Sequence, residues 1–221
     1  MTRAGIAVLR YDERGVGKST GKHVGADSQD LARDVEAGIE FLKSQDEIDA
    51  SKIGLIGHSE GGYLAPMIAA RNSSVGFIVC MAGPGVTGGE IIVSQTRLIM
   101  KAMGESDKEI DYTANLSTQL IQVVRDNTGD SQEALNKKLE ERVKKYLAEN
   151  KPSKEFEKAM VAQEASFTRM TTPWFRFFLT YDPRVDLQKV KVPVFAFCGS
   201  KDLQVDADLN LSEIEKALKK A

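Results

Sequence analysis

The stretch IGLIGHSEGGYLAPMIAA, Ile53 to Ala70, constrains the fold more than any other part of the chain. It passes from a short apolar run rich in β-branched residues, through a turn, into an apolar segment long enough for a helix. Gly57-His58-Ser59-Glu60-Gly61 sits at the junction and has the pattern G-x-S-x-G in the strand–turn–helix setting that the pattern requires. A turn this sharp is expected to leave no room for a side chain at Gly57 or Gly61 and to lift the Ser59 oxygen above the end of a sheet. It also puts Ser59 at a helix N-terminus, where backbone N–H groups favour developing negative charge.

The rest of the chain supplies a sheet for that turn. Gly5–Leu9, Ile53–Ile56, Gly76–Met81 and Val194–Cys198 are unalternating apolar runs, which read as parallel strands covered on both faces. Between the first two, Leu31, Val35, Ile39 and Leu42 recur at helical spacing after Ser28, a candidate N-cap, completing a βαβ unit. The class is therefore α/β, a mostly parallel sheet with flanking helices, built from residues 1–86 and 181–221. Residues 87–180 differ in kind. Helix-start signals recur there, Ser106 with Glu109, Asp130 with Glu133, and Thr172 before Pro173, so four or five helices and no strand are expected. Ile99, Met100, Met103, Leu120, Val124, Met160 and Met170 would form their inner faces. An insertion of this size between two strands reads as a helical cap over a substrate cleft.

Composition removes several classes. A net charge of −2, with both signs mixed along 221 residues, gives no electrostatic basis for nucleic-acid or anionic-membrane binding. Nothing resembles a signal peptide or a long apolar span, and cytoplasmic placement is the default. Cys80 and Cys198 lie in apolar runs and read as buried free thiols. No cluster suggests a metal or an organic cofactor. The stretch DERGVGKSTG, Asp12 to Gly21, carries Gly-Lys-Ser in the order of a phosphate-binding loop, but the first glycine of that loop falls at Asp12. A carboxylate there repels phosphate, and a polar glycine-containing loop rather than a helix follows Ser19. A nucleotide-binding domain is the weakest reading.

On GHSEGG the chain resembles the α/β-hydrolase family, in particular a bacterial branch of serine esterases and peptidase-like hydrolases. Asp12, Arg14, Gly15, Gly17 and Ser19 match the D-x-R-G-x-G-x-S loop of that family, and VKVPVFAFCGSKDLQV matches its penultimate strand and the turn bearing an acid. The resemblance implies Ser59 as nucleophile, the Glu60 backbone N–H as an oxyanion donor and Asp202 as the acid that orients a histidine base. It implies a small-molecule acyl substrate, either an ester or a related acyl compound. Read from residues alone, Asp202 also fits the acid of a Gly-x-x-Asp turn, and the Glu60 side chain stays open between a structural and a substrate-contacting role.

The chain departs from the family at the base. The order is nucleophile, acid, histidine, yet no histidine follows Asp202. His58 is expected to point into the scaffold and make a structural hydrogen bond, and His23 to be a solvated loop residue. Against the family pattern the chain also reads as truncated at both ends, a fragment with a partial fold. The Gly5–Leu9 strand would then either stand beside an unfilled slot or move to pair with Ile53–Ile56. A serine hydrolase lacking its base and a non-catalytic relative that binds a ligand or protein both fit.

Overall fold

The computed structural model of the protein describes residues 1–150 and 169–221, which divide into two compact units, Met1–Val86 with Asp182–Ala221, and Thr87–Tyr181. The first unit is built on three parallel strands, β1 (Gly54–His58), β2 (Phe77–Met81) and β3 (Val194–Phe197), in the order β1-β2-β3. Gly57 pairs with Cys80 and Cys80 with Ala196, so one face of the sheet carries Gly57, Ile78, Cys80 and Ala196. Helix α2 (Glu60–Ala69) packs against β1 and β2 and is buried at every residue from Gly62 to Ile68. Such all-round apolarity suits a helix enclosed by other elements. In the same unit lie α1 (Ser28–Lys43), which packs on α2, and α7 (Pro183–Leu187) and α8 (Ala207–Leu218) near the end of the chain. Leu187, Ile214 and Ala217 close the core on that side, and the buried Asn210 of α8 accepts the Gly85 N–H at 2.8 Å.

The opposite face of the sheet is open, which corrects the expectation of strands covered on both sides. Ile56, Phe77, Phe195 and Phe197 alternate with the buried set and are 46%, 38%, 63% and 42% exposed. The described helices of this unit cover only the other face.

Gly5–Leu9 is not a strand. It follows a short 3-10 turn at Thr2–Ala4, forms no ladder, and leaves β1 as an edge strand. Leu9 and Tyr11 lie beside Gly38 of α1 instead. Ile6 and Val8 are half exposed, so the backbone here meets water, and the penalty for buried unpaired groups does not arise. Strand-forming residues without a neighbour do not make a sheet.

Two helix starts also fall one residue from their expected places. Asp27, not Ser28, caps α1, accepting from the N–H groups of Gln29 and Asp30 in a reciprocal capping box. Ser131, not Asp130, accepts the Ala134 N–H at the start of α5 (Gln132–Asn150), while Asp130 pairs with Lys138.

The second unit holds, among the described residues, α3 (Gly88–Ala102), α4 (Asp107–Asp126), α5 and α6 (Pro173–Thr180), with no strand. Ser106 and Glu109 form the expected capping box on α4, and Thr172 caps α6 with Pro173 at its first position. Leu120, Val124, Leu135, Leu139, Phe175 and Leu179 belong to its core. Met103, expected inside, caps the C-terminus of α3 and is exposed. Met160 lies outside the described residues.

Candidate active site

Ser59 joins β1 to α2 in a conformation that L-residues avoid, φ 53° and ψ −116°. Among the described residues only Ala82, after β2, shares a positive φ without being glycine. Strain of this kind costs about 1–3 kcal/mol and persists only where the surroundings enforce it. Here the Ser59 N–H extends the β1–β2 ladder to the Met81 carbonyl at 3.0 Å, and the Ser59 carbonyl accepts the Gly62 N–H at 2.8 Å. The hydroxyl makes no capping bond to α2.

Of the two glycines of the turn, Gly57 is crowded as expected and Gly61 is not. A Cβ at Gly57 would land on the Gly61 carbonyl oxygen, so that position admits only hydrogen. At Gly61 a Cβ would meet nothing within 4 Å, and its backbone is ordinary. The close approach is at Gly62, where a Cβ would run into the Gly83 backbone, and a Cβ at Gly83 would in turn fall 2.9 Å from Gly62 Cα. Seating α2 against the end of β2 therefore depends on Gly57, Gly62 and Gly83.

Glu60 is the first residue of α2, so its N–H lies at the positive end of the helix beside Ser59. Its carboxylate has a structural partner set. Oε1 accepts a short hydrogen bond from the Ser28 hydroxyl and another from the Tyr63 phenol at 3.3 Å. Burial, followed by the Glu60 charge, pushes the Tyr63 phenol well above its usual range and keeps it a neutral donor. Tyr63 lies three residues after Glu60, a helical spacing that was visible in the sequence; Ser28 gave no such signal.

Asp202 follows β3 and sits in its own turn. Its N–H donates to the Gly199 carbonyl at 3.0 Å, and Oδ1 accepts from the N–H groups of Gln204 and Val205 at 2.8 and 3.0 Å. The Cys198 thiol, only partly buried and not enclosed as expected, donates to the Val205 carbonyl at 3.2 Å and lies 3.8 Å from Asp202 Oδ2. No bond joins Asp202 to Ser59.

Neither histidine bonds Ser59 or Asp202. His58 is exposed and makes no hydrogen bond among the described residues, which corrects the scaffold role expected of it. Alternation along β1 turns Gly57 to the covered face and His58 to the open one. His23 is half exposed, its Nε2 3.3 Å from Glu13 Oε2.

A cavity of about 320 Å³ opens beside Ser59 and is walled by Tyr11, Glu13, Leu31, Val35 and Ile56. The loop that forms one wall explains the resemblance to a phosphate loop. Asp12 Oδ2 accepts the Lys18 N–H at 3.1 Å, the kind of group a phosphate would need, and the Ser19 hydroxyl donates to the Asp12 carbonyl at 2.6 Å. Gly17, at φ 54°, has no room for a Cβ against that carboxylate. Arg14 anchors the loop to α1 by a two-pronged bond to Asp34, both arms 2.7 Å, and a bond to the Asp30 carbonyl at 2.9 Å.

A family model described as serine aminopeptidase, S33, matches residues 1–220 of the chain. The chain is similar to the structure of an α/β fold family hydrolase from Bacillus anthracis str. Sterne, with 20% identity and a TM-score of 0.52, over 95% of this chain and 70% of that one. It is also similar to an enol-lactonase from Burkholderia xenovorans LB400, with 17% identity and a TM-score of 0.48, over 96% of this chain and 69% of that one. The Bacillus likeness and the flanked parallel sheet give the chain, in part, the α/β-hydrolase fold.

Proposed function

Because this chain belongs to the serine aminopeptidase, S33, family and so to the hydrolases, we propose that its chemistry is cleavage of an ester or related acyl bond through Ser59. The observation that carries this reading is the strained Ser59 backbone at the β1–α2 junction, with its hydroxyl unspent on capping. Ser59 Oγ attacks the acyl carbon, the carbonyl oxygen takes the negative charge beside the Glu60 N–H, and the bond to the leaving oxygen breaks to give an acyl-enzyme. Water then releases the acid and restores the serine. The serine proton needs a base, and Asp202 is the acid that would orient one. His23 and His58 do not serve as that base, so the proton passes to solvent and the chain is a slow catalyst. Thr87–Tyr181 is assigned the role of a helical cap that selects the acyl group.

One observation favours a second reading, a non-catalytic domain that binds a ligand or protein: no histidine bonds Ser59 or Asp202. Hydrolysis of p-nitrophenyl acetate tests the base assignment. Turnover should stay close to background, since losing a triad histidine costs on the order of 10⁶ in rate. Robust hydrolysis that disappears in Ser59→Ala and survives in His23→Ala would overturn it.

A further inference from the structure

Ser28 is fully buried at the first turn of α1, and its hydroxyl bonds to the residue that follows Ser59. Ser28 and the Tyr63 phenol lie 2.7 Å apart, and both reach the same Glu60 oxygen. Two helices thus converge on one carboxylate. That carboxylate stands at the N-terminus of α2, whose N–H groups attract anions. Released from these partners, a carboxylate in the first turn of a helix is drawn electrostatically to the free N–H groups there. Those are the groups an acyl oxyanion beside Ser59 would need.

We propose that Ser28 and Tyr63 are positioning residues: by holding the Glu60 carboxylate against α1, they keep the N-terminal amides of α2 open to an oxyanion at Ser59. This rests on Ser59 being the nucleophile. Both of these groups are neutral hydroxyls, so neither places a positive charge beside the developing oxyanion.

The test is a double-mutant cycle read by phosphonylation of Ser59 with a fluorophosphonate probe, followed as intact mass over time and resolved into a binding constant and a maximal rate. Ser28→Ala should lower the maximal rate about tenfold, short of the loss from deleting an oxyanion donor, and leave probe binding within about twofold. In a Glu60→Gln background the same Ser28→Ala change should cost less than about threefold, because a neutral amide does not compete for the helix terminus as a carboxylate does. A purely structural Ser28 would cost the same in both backgrounds, and that result overturns the proposal, as does a Ser28→Ala rate within twofold of the parent. Should Ser28→Ala fail to fold, Tyr63→Phe keeps the packing and removes only the phenol, with the same relief by Glu60→Gln expected. If the parent chain does not label at all, the nucleophile reading fails. The clamp is then judged by hydrogen exchange of the Glu60 and Gly61 amides: slower exchange in Ser28→Ala, reversed by Glu60→Gln, supports it, and unchanged exchange overturns it.

Discussion

Ser59 and Asp202 both follow the C-terminal ends of parallel strands, β1 and β3, which lie on either side of β2. Two strand spacings of about 4.8 Å set the ends of β1 and β3 roughly 10 Å apart. Asp202 Oδ1 is committed to the N–H groups of Gln204 and Val205. Asp202→Asn, which keeps an Oδ1 acceptor, should therefore melt close to the parent, whereas Asp202→Ala should lose about 1–3 kcal/mol, chiefly from the Val205 N–H left unpaired. Equal losses in chemical denaturation would mean that the turn does not depend on that oxygen.

The glycines predict an unequal pair. Gly61→Ala should be neutral or slightly stabilising, because the added methyl meets open space on a helix. Gly62→Ala should destabilise by at least about 1–3 kcal/mol, as overpacking against the Gly83 backbone does. Thermal melts of the two variants decide this, and the reverse order would contradict the seating of α2.

The Asp12–Gly21 loop should not bind nucleotide. ATP with Mg²⁺ should leave the melting temperature unchanged, while Arg14→Ala should lower it, because the bond to Asp34 that anchors the loop to α1 is lost. A stabilising shift with ATP would revive the nucleotide reading.

The thiols should be unreactive. Burial pushes Cys80 up to about 12, and burial together with the Asp202 charge raises Cys198. Because the charged form of a thiol is the deprotonated one, a raised pKa keeps both neutral at pH 8, and alkylation by iodoacetamide should become fast only on unfolding. Rapid native-state alkylation of Cys80 would contradict its burial.

The bare sheet face should be dispensable for folding. Phe195→Thr and Phe197→Thr should each change stability by less than about 0.5 kcal/mol and reduce binding of a hydrophobic dye. A cooperative loss of structure would show that this face is covered in solution.

What the sequence disclosed was mostly local. The three paired strands, the strand–turn–helix junction at Ser59 and the caps at Ser106 and Thr172 follow from short-range patterns and appear in the structure. Gly5–Leu9 misled because β-propensity describes a residue's fit to a sheet, not the presence of a neighbour. The bare face was illegible for the same reason, since apolar strands look alike whether one side or both are covered. Gly61 was credited with a crowding that belongs to Gly62, because the crowding atom is in Gly83, across a turn no local pattern records. The partners of Glu60 came from α1 and from its own helix, and only the second could be read by spacing.

The central claim is that Ser59 is a nucleophile, and peptide mapping after exposure to a fluorophosphonate probe tests it most directly. A serine at a helix N-terminus retains slow reactivity without its base, because the helix amides still stabilise developing negative charge. One adduct per chain should therefore accumulate slowly, on the peptide containing Ser59, and vanish in Ser59→Ala. An unlabelled folded chain, or adducts scattered over several serines and persisting in Ser59→Ala, would contradict the account and leave the binding-domain reading in its place.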